Sequence, residues 1–168
     1  TAKLAGIDPL IVDAVEKRNE VQKYKIFEYI VEKFGEDLSG KQFSIWGLAF
    51  KPGTDDMREA PSINIISSII KAGGRVCAYD PVANEEAVQK FPEEWVLSNK
   101  LKFVNNNYEA IIDSHALVVM TEWKMFRNPS MQKMKKKMKE LCVFDGRNQY
   151  DPNYMLKNGF YYKGIGRS

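Results

Sequence analysis

The sequence predicts an α/β protein: a mostly parallel sheet of six strands with helices on both faces, preceded by a long N-terminal helix. From residue 42 onward, short β-rich runs alternate with segments of helical periodicity. The strand candidates are apolar on both faces, as expected for strands buried between two layers of helices. Up to residue 34, in contrast, the apolar residues recur at helical spacing throughout.

Each element follows from these patterns. Segment 9–34 is predicted to form one long amphipathic helix or two joined helices, because charges separate its periodic apolar residues. Residues 35–41, which contain Asp37, Ser39 and Gly40, are predicted to form a loop. The predicted strands cover residues 43–46, 75–79, 101–104, 115–120, 142–144 and 160–165. The predicted helices between them cover residues 62–71, 84–90, 108–112, 130–141 and 153–157. Such alternation is typical of a Rossmann-like sheet.

The composition argues against several classes of protein. With 168 residues, 44% of them hydrophobic, the chain can bury a core, so disorder is not expected. No apolar run approaches the roughly 20 residues that cross a bilayer, and we expect a cytoplasmic protein without membrane contact. A net charge of +3 does not indicate nucleic acid binding and is compatible with a phosphate-bearing small molecule.

Catalytic side chains and metal ligands are hard to find in this sequence. Cys77 and Cys142 each lie in an apolar strand candidate, without the cationic surroundings that produce a reactive thiolate. No CxxC motif or Cys/His cluster indicates a metal site, and the single histidine, His115, opens an apolar strand. We therefore predict no catalytic residue and no metal in this chain.

The segment after the first strand is a candidate ligand-binding loop, because parallel α/β sheets bind ligands at the carboxyl ends of their strands. Residues 47–61, G-L-A-F-K-P-G-T-D-D-M-R-E-A-P, are long and charged. Lys51 suits phosphate oxygens as a mobile point charge, and Arg58 suits them as a planar fork. From the loop alone, a phosphate site and a solvated connection are equally good interpretations.

Two further segments follow strands. F-D-G-R-N, residues 144–148, contains a strong Asp-Gly turn that would project Arg147 over the same edge of the sheet. T-E-W-K-M-F-R, residues 121–127, carries Trp123 and Phe126, for which we favour core positions over stacking on a base. The lysine-rich segment 133–139 is predicted to be the solvated face of an amphipathic helix.

The loop does not have a dinucleotide-binding fingerprint. GxGxxG needs three glycines, whereas Gly47 is followed by Leu48, Ala49 and Phe50. Asp80, the candidate ribose-binding acid, lies 33 residues beyond Gly47 (80 minus 47), where the fingerprint expects about 20. We therefore expect loop side chains, and not glycine backbone, to hold a phosphate.

Five motifs together resemble one known family. In chain order they are W-G-L-A-F-K-P-G-T-D-D-M-R-E-A-P-S-I-N-I-I, A-Y-D-P, T-E-W-x-x-F-R, F-D-G-R-N and Y-Y-K-G-I-G-R. They closely resemble the C-terminal UDP-binding domain of the UDP-glucose/GDP-mannose dehydrogenase family, over essentially the whole chain. The resemblance implies that residues 1–38 end a central helical dimerisation region and that residues 39–168 form the UDP-sugar-binding Rossmann-like domain.

The resemblance also implies a function. Family members oxidise the C6 alcohol of a nucleotide sugar in two hydride transfers to NAD⁺, through a thioester on a cysteine. That cysteine and the NAD-binding domain are expected in a preceding segment, so this chain alone is expected to be inactive. By motif match, Phe50, Lys51 and Arg147 are implied to contact the UDP-sugar, and Arg58 to reach NAD. A homodimer through the N-terminal helix is implied as well.

The identity of the sugar and of the module stays open at this point. T-E-W-x-x-F-R with F-D-G-R-N favours UDP-glucose, whereas relatives acting on UDP-N-acetyl sugars or GDP-mannose share much of the framework. Ala60 and Met57 replace the more usual Ser and Val or Thr of the family motif. A free-standing dinucleotide-binding module and a purely structural dimerisation module are the alternatives.

Overall fold

A computed structural model describes residues 10–167 of the chain, and the predicted α/β class is confirmed. The six strands are β1 (Gln42–Trp46), β2 (Arg75–Tyr79), β3 (Leu101–Phe103), β4 (Ala116–Val119), β5 (Cys142–Asp145) and β6 (Tyr161–Gly164). They form one sheet in the order β3-β2-β1-β4-β5-β6, and every neighbouring pair is parallel. This is the doubly wound Rossmann order, in which the chain reverses its direction of winding between β1 and β4.

The helices of the described residues are α1 (Leu10–Lys23), α2 (Lys25–Phe34), α3 (Pro61–Lys71), α4 (Asn84–Val88), α5 (Glu93–Leu97), α6 (Asn107–Ala110), α7 (Met131–Lys137) and α8 (Pro152–Lys157). The N-terminal segment is thus two joined helices, interrupted at Tyr24. A short 3-10 helix covers Lys124–Phe126.

Two helices differ most from the sequence prediction. α5 was not predicted, because its five residues are too few to show a helical period. α7 ends at Lys137 and not at residue 141, because Met138 takes an extended conformation with ψ 144°. The backbone N–H of Lys139 then donates to Ser114 O at 2.9 Å, which leads the chain into β5.

The core has two layers, one on each face of the sheet. On one face, Phe43, Ile45 and Phe144 pack with α2 and α3, and Ile30 of α2 is fully buried among them. On the other face, aromatic and aliphatic residues pack around Trp46. α1 differs from the other long helices because it buries no residue. α2 therefore belongs to the packed core, whereas α1 lies on its surface.

The cysteines and the histidine pack inside the fold. Cys77 and Cys142 are free and buried, and burial raises their pKa values to about 11 and about 12. His115 accepts a hydrogen bond at Nδ1 from the backbone N–H of Gln42, and burial lowers its pKa.

Among residues 10–167, no helix has the length and apolar character needed to cross a membrane. The same residues contain no group of three or more acidic, cysteine or histidine side chains placed to hold a metal.

Candidate functional site

The loop that leaves β1 begins with a turn that only glycine can make. Gly47 has φ +88°, and a Cβ there would lie 2.4 Å from the Cβ of Thr121. The Thr121 hydroxyl donates to the backbone carbonyl of Ala49 at 2.6 Å. These contacts lock the ends of β1 and β4 together at the point where the strand order reverses, which is the usual ligand site of such sheets.

A buried carboxylate organises the same loop from β2. Asp80 accepts hydrogen bonds from the backbone N–H groups of residues 48–49 and 82–83, at 2.8 to 3.3 Å. It also accepts one from Trp123 Nε1 at 3.1 Å. With five donors around it, this carboxylate has no capacity left for the hydroxyls of a ribose. Asp80 is therefore a structural anchor of the loop.

The F-D-G-R-N turn after β5 is held by a second buried carboxylate. Asp145 accepts hydrogen bonds from the backbone N–H groups of Arg147 and Tyr150, at 2.9 and 3.0 Å. The hydroxyl of Tyr162 donates to it at 3.1 Å. Burial, reinforced by the charge of Asp145, raises the pKa of Tyr162 well above its usual value. A Cβ at Gly146 would lie 2.9 Å from a backbone carbonyl of β4, so this position also requires glycine.

The guanidinium of Arg147 is fixed along one edge. Nε donates to the backbone carbonyl of Met120 at 2.8 Å, and Nη2 donates to that of Phe50 at 3.1 Å. A guanidinium has five N–H groups, so these two bonds leave three, on Nη1 and on the outer side of Nη2. This second edge is a fork that matches two phosphate oxygens.

Arg147 and Phe50 line one cleft of about 740 Å³. The ends of the strands form one wall of the cleft and the N-terminal helices form the other. Its lining residues are Glu16, Asn19, Glu20, Gln22, Lys23, Ile26, Phe50, Glu59, Pro61, Met120, Gly146, Arg147 and Ile165. The Phe50 side chain is 49% exposed, which is unusual for a phenyl ring and leaves it free to contact a ligand.

The other two predicted site residues lie outside this cleft. Lys51 follows Phe50 directly and is exposed. Arg58 donates from Nε and Nη2 to both carboxylate oxygens of Asp56, at 3.0 and 2.8 Å. This pairing lowers the pKa of Asp56 well below its usual range. Arg58 lines a separate hollow of about 440 Å³ together with Lys90. The structure therefore brings Phe50 and Arg147 together, but not Arg58.

Comparison with known proteins assigns the chain to a family. Residues 44–152 match the UDP-glucose/GDP-mannose dehydrogenase family, UDP binding domain. The chain belongs to this family. It is 44% identical over 167 residues to a UDP-glucose 6-dehydrogenase of Pseudomonas aeruginosa, covering 99% of this chain and 37% of that protein. The present chain thus spans little more than a third of the length of this relative.

Two solved structures support the same assignment. A UDP-glucose dehydrogenase from the hyperthermophilic archaeon Pyrobaculum islandicum superimposes with a TM-score of 0.75 and 25% identity, over 99% of this chain and 34% of that one. An NDP-N-acetyl-D-galactosaminuronic acid dehydrogenase from Methanosarcina mazei superimposes with a TM-score of 0.73, also at 25% identity, over 96% and 32%. The fold is therefore shared by family members whose names specify different sugars.

The structure places in the cleft of this family domain a residue that the sequence prediction did not include. Lys23, at the end of α1, forms ion pairs with Glu20 at 2.6 Å and with Glu59 in the loop after β1. Glu59 has a left-handed backbone, with φ +56°. Asn19 and Lys23 are four residues apart and lie on one face of α1, and the fold shows that this face meets the loop after β1.

The aromatic residues after β4 divide between core and loop. Phe126 is fully buried and stacks on Trp46 with ring centroids 5.1 Å apart, which confirms its predicted core position. Trp123 is half-buried and its indole N–H is bonded to Asp80. Phe126 therefore packs in the core, whereas Trp123 bonds the carboxylate that anchors the loop after β1.

Proposed function

We propose that the cleft binds the UDP part of a nucleotide sugar. The observation that carries this proposal is the geometry of Arg147, which has one edge fixed by two backbone carbonyls and three N–H groups left. A cation held in this way is ready to bind a diphosphate without losing further side-chain entropy. Phe50 lies beside it and supplies apolar contact area.

Lys51 completes the substrate-binding set in this proposal. It is exposed and directly follows Phe50, and we place its ammonium group on the diphosphate. Lysine is a mobile point charge on a flexible stem, unlike the fixed guanidinium of Arg147. We infer that Arg147 defines the position of the phosphates and that Lys51 closes over them.

NAD does not fit the loop after β1 of this chain. The positive-φ turn at Gly47 is filled by Thr121, and Asp80 is fully used by backbone and indole donors. We therefore assign NAD to another domain of the whole protein, with Arg58 reaching it from this chain. Arg58 is exposed on the surface of the domain and would exchange Asp56 for the pyrophosphate.

For the whole protein, we propose oxidation of UDP-glucose to UDP-glucuronate with two NAD, in the cytoplasm. The support is the family and the 44% identity to a UDP-glucose 6-dehydrogenase. The chain alone is inactive in this proposal, because Cys77 and Cys142 are buried thiols with raised pKa and cannot act as nucleophiles. Its contribution to the reaction is binding energy that positions the sugar.

We also propose a homodimer through the N-terminal helix. α1 buries no residue, and its apolar side chains Leu10, Ile11 and Val15 are 71%, 81% and 52% exposed. A second copy would cover this apolar stripe. Sedimentation of the wild type and of Ile11→Lys tests this, since the substitution is expected to yield monomers. A wild-type chain that sediments as a monomer would contradict the proposal.

A different nucleotide sugar is the second candidate substrate. The superposition on an NDP-N-acetyl-D-galactosaminuronic acid dehydrogenase, at the same 25% identity, favours it. The sugar would then carry an acetamido group in place of a hydroxyl. A comparison of UDP-glucose with UDP-N-acetyl sugars in the same binding assay separates the two candidates.

Calorimetric titration of the 168-residue chain with UDP, UDP-glucose, GDP and NAD at moderate salt tests the binding function. We expect heat from UDP and UDP-glucose, weaker binding of GDP and none of NAD. Arg127→Ala is the matched control, because Arg127 is exposed and lies outside the cleft. Binding of NAD but not of UDP would show that the domain serves the cofactor and would overturn the proposal.

A further inference from the structure

The two sides of the cleft differ in chemistry. The side that carries Arg147 is mostly apolar around this cation, with Phe50, Met120 and Ile165 in the lining. On the other side, every residue that α1 contributes to the lining is polar: Glu16, Asn19, Glu20, Gln22 and Lys23. α1 therefore turns a polar face toward the cleft.

Three of these five polar side chains have no partner in the part of the chain that the structure describes. Glu20 and Lys23 form an ion pair at 2.6 Å. Glu16, Asn19 and Gln22 form no hydrogen bond or ion pair through their side chains with any residue of 10–167. Glu16 and Asn19 are exposed and Gln22 is partly exposed, so a ligand in the cleft can reach all three.

The contact between Lys23 and Glu59 keeps this face of α1 on the cleft. Glu59 belongs to the loop after β1, which also carries Phe50. Asn19 lies one helical turn before Lys23, on the same face of the helix. The Lys23 side chain is only 14% exposed, so its ion pairs are shielded from solvent. The unpartnered side chains of α1 are thus held at the cleft by a contact that they do not make themselves.

The packing of the chain gives no reason for an asparagine at position 19. Asn19 lies in the interior of α1, where asparagine is a poorer helix former than alanine because its amide favours other backbone conformations. Within residues 10–167, this amide bonds no other group that would offset the cost. A ligand in the cleft would use its free donor and acceptor.

The chemistry of these side chains suits hydroxyl groups better than phosphates. A phosphate oxygen is negatively charged, so the carboxylate of Glu16 repels it. A hydroxyl both donates and accepts, so it can donate to Glu16 and form either kind of hydrogen bond with the amides of Asn19 and Gln22. This face therefore fits the hydroxyl-bearing part of a ligand whose phosphates lie on Arg147.

We propose that Glu16, Asn19 and Gln22 form a hydroxyl-binding wall, which takes the sugar hydroxyls of the ligand while Arg147 takes its phosphates. This rests on the proposed binding of a nucleotide sugar and deepens it, because it assigns residues of α1 to the sugar. The ribose and the hexose both carry neighbouring hydroxyls and present the same chemistry to the wall. The cleft volume of about 740 Å³ is typical of a small-molecule site.

Calorimetry on the 168-residue chain with three ligands tests the hydroxyl-binding wall. UDP-glucose carries hexose and ribose hydroxyls, UDP carries ribose hydroxyls alone, and 2′,3′-dideoxy-UDP carries neither. The variants are Asn19→Ala and Gln22→Ala, which change no charge and place the best helix former in α1. Glu16 is kept, because loss of its charge would also alter phosphate binding. Gln132→Ala is the matched control, since Gln132 is an exposed amide on α7 outside the cleft lining.

We expect Asn19→Ala and Gln22→Ala each to weaken UDP-glucose binding roughly three- to tenfold, the effect of a lost neutral hydrogen bond. Gln132→Ala should bind like the wild type. If the ribose supplies the hydroxyls, UDP binding weakens as much as UDP-glucose binding, while 2′,3′-dideoxy-UDP binding does not change. If the hexose supplies them, only UDP-glucose binding weakens.

Two results would overturn the hydroxyl-binding wall while the binding function stands. Equal weakening of 2′,3′-dideoxy-UDP binding would show that the effect does not depend on hydroxyls. Wild-type affinity for UDP-glucose in both Asn19→Ala and Gln22→Ala would show that these amides are only solvated. If the wild-type chain binds no uridine nucleotide at all, the proposed function fails and the hydroxyl-binding wall fails with it.

Discussion

Arg147 donates a hydrogen bond to the backbone carbonyl of Phe50 at 3.1 Å, although 97 residues separate the two in the chain. The cation that follows β5 therefore holds the loop that follows β1. Because Lys51 comes next in that loop, a change at Arg147 alters the position of Phe50 and Lys51 as well. The three residues proposed to bind the substrate, Phe50, Lys51 and Arg147, are therefore mechanically coupled.

Replacement of Arg147 tests this unit. Arg147→Ala should weaken UDP binding by about 1–3 kcal/mol, the scale of a lost charge-assisted contact, and Lys51→Ala should weaken it by a similar amount. Arg147→Lys should recover little, because an ammonium cannot bond two carbonyls and a phosphate fork together. Calorimetry with Arg127→Ala as control measures these effects. Wild-type affinity in Arg147→Lys would mean that charge alone suffices.

The hydrogen bonds that Asp145 accepts from Arg147, Tyr150 and Tyr162 should contribute to the stability of the fold. In Asp145→Asn, an amide NH2 group replaces one of the oxygens that accept these hydrogen bonds, so a donor faces a donor. We expect this to lower the free energy of unfolding by about 1–3 kcal/mol. Tyr162→Phe removes one donor and should cost about 1 kcal/mol. Since the two groups share a bond, urea unfolding should show less than additive losses in the double variant. Strict additivity would contradict their coupling.

Two glycines with similar backbones allow a matched comparison. Gly47 and Gly53 have φ +88° and +81°, but only Gly47 faces Thr121 atoms, while nothing lies within 4 Å of a Cβ at Gly53. Gly53→Ala should lose roughly 1–2 kcal/mol of unfolding free energy from the left-handed backbone alone. Gly47→Ala should lose about 1–3 kcal/mol more from overpacking. Equal unfolding free energies of the two variants would show that the chain around Thr121 shifts to make room for the added methyl group.

The sequence predicted well what depends on local pattern. Strands apolar on both faces predicted the parallel sheet, and the positions of Phe50 and Arg147 after strands predicted that they would share an edge. Contacts between distant residues have no local signal, so the ion pair of Lys23 with Glu59, 36 residues apart, was not predicted. Asp145 was recognised only as part of a turn, because its partner Tyr162 belongs to another strand.

Because the two cysteines are buried, the free energy of unfolding should depend on pH in the alkaline range. Cys142 has a pKa raised from 9.0 to about 12. The folded state therefore keeps the thiol protonated, so its stabilising contribution is present below pH 9 and is lost progressively as pH rises toward 12. Between pH 9 and 10.5, this thiol should account for about 1.5 kcal/mol of lost unfolding free energy.

Urea unfolding of the wild type and of Cys142→Ala, at pH 9 and at pH 10.5, measures this contribution of Cys142 to the unfolding free energy. The variant should lose less stability on alkalinisation, while Tyr150 and Tyr162, whose pKa values are also raised by burial, keep part of the slope in both proteins. At pH 8, iodoacetamide should modify native Cys77 and Cys142 slowly and the unfolded chain rapidly. Rapid labelling of the native thiols would contradict their assignment as inert core residues.

The contact between Lys23 and Glu59 should respond to acid, because the hydrogen bond from Lys23 lowers the pKa of Glu59. A lowered carboxylate pKa means that the contact is present above pH 4.5 and is lost as pH falls through the value in the folded state. In an NMR titration of the Glu59 carboxylate, Lys23→Met should therefore move the midpoint upward. Lys25→Met is the matched control, because Lys25 pairs with Glu28 and should leave the midpoint unchanged. An unchanged midpoint in Lys23→Met would mean that α1 is not held by this ion pair, and that the helical wall of the cleft depends on apolar packing alone.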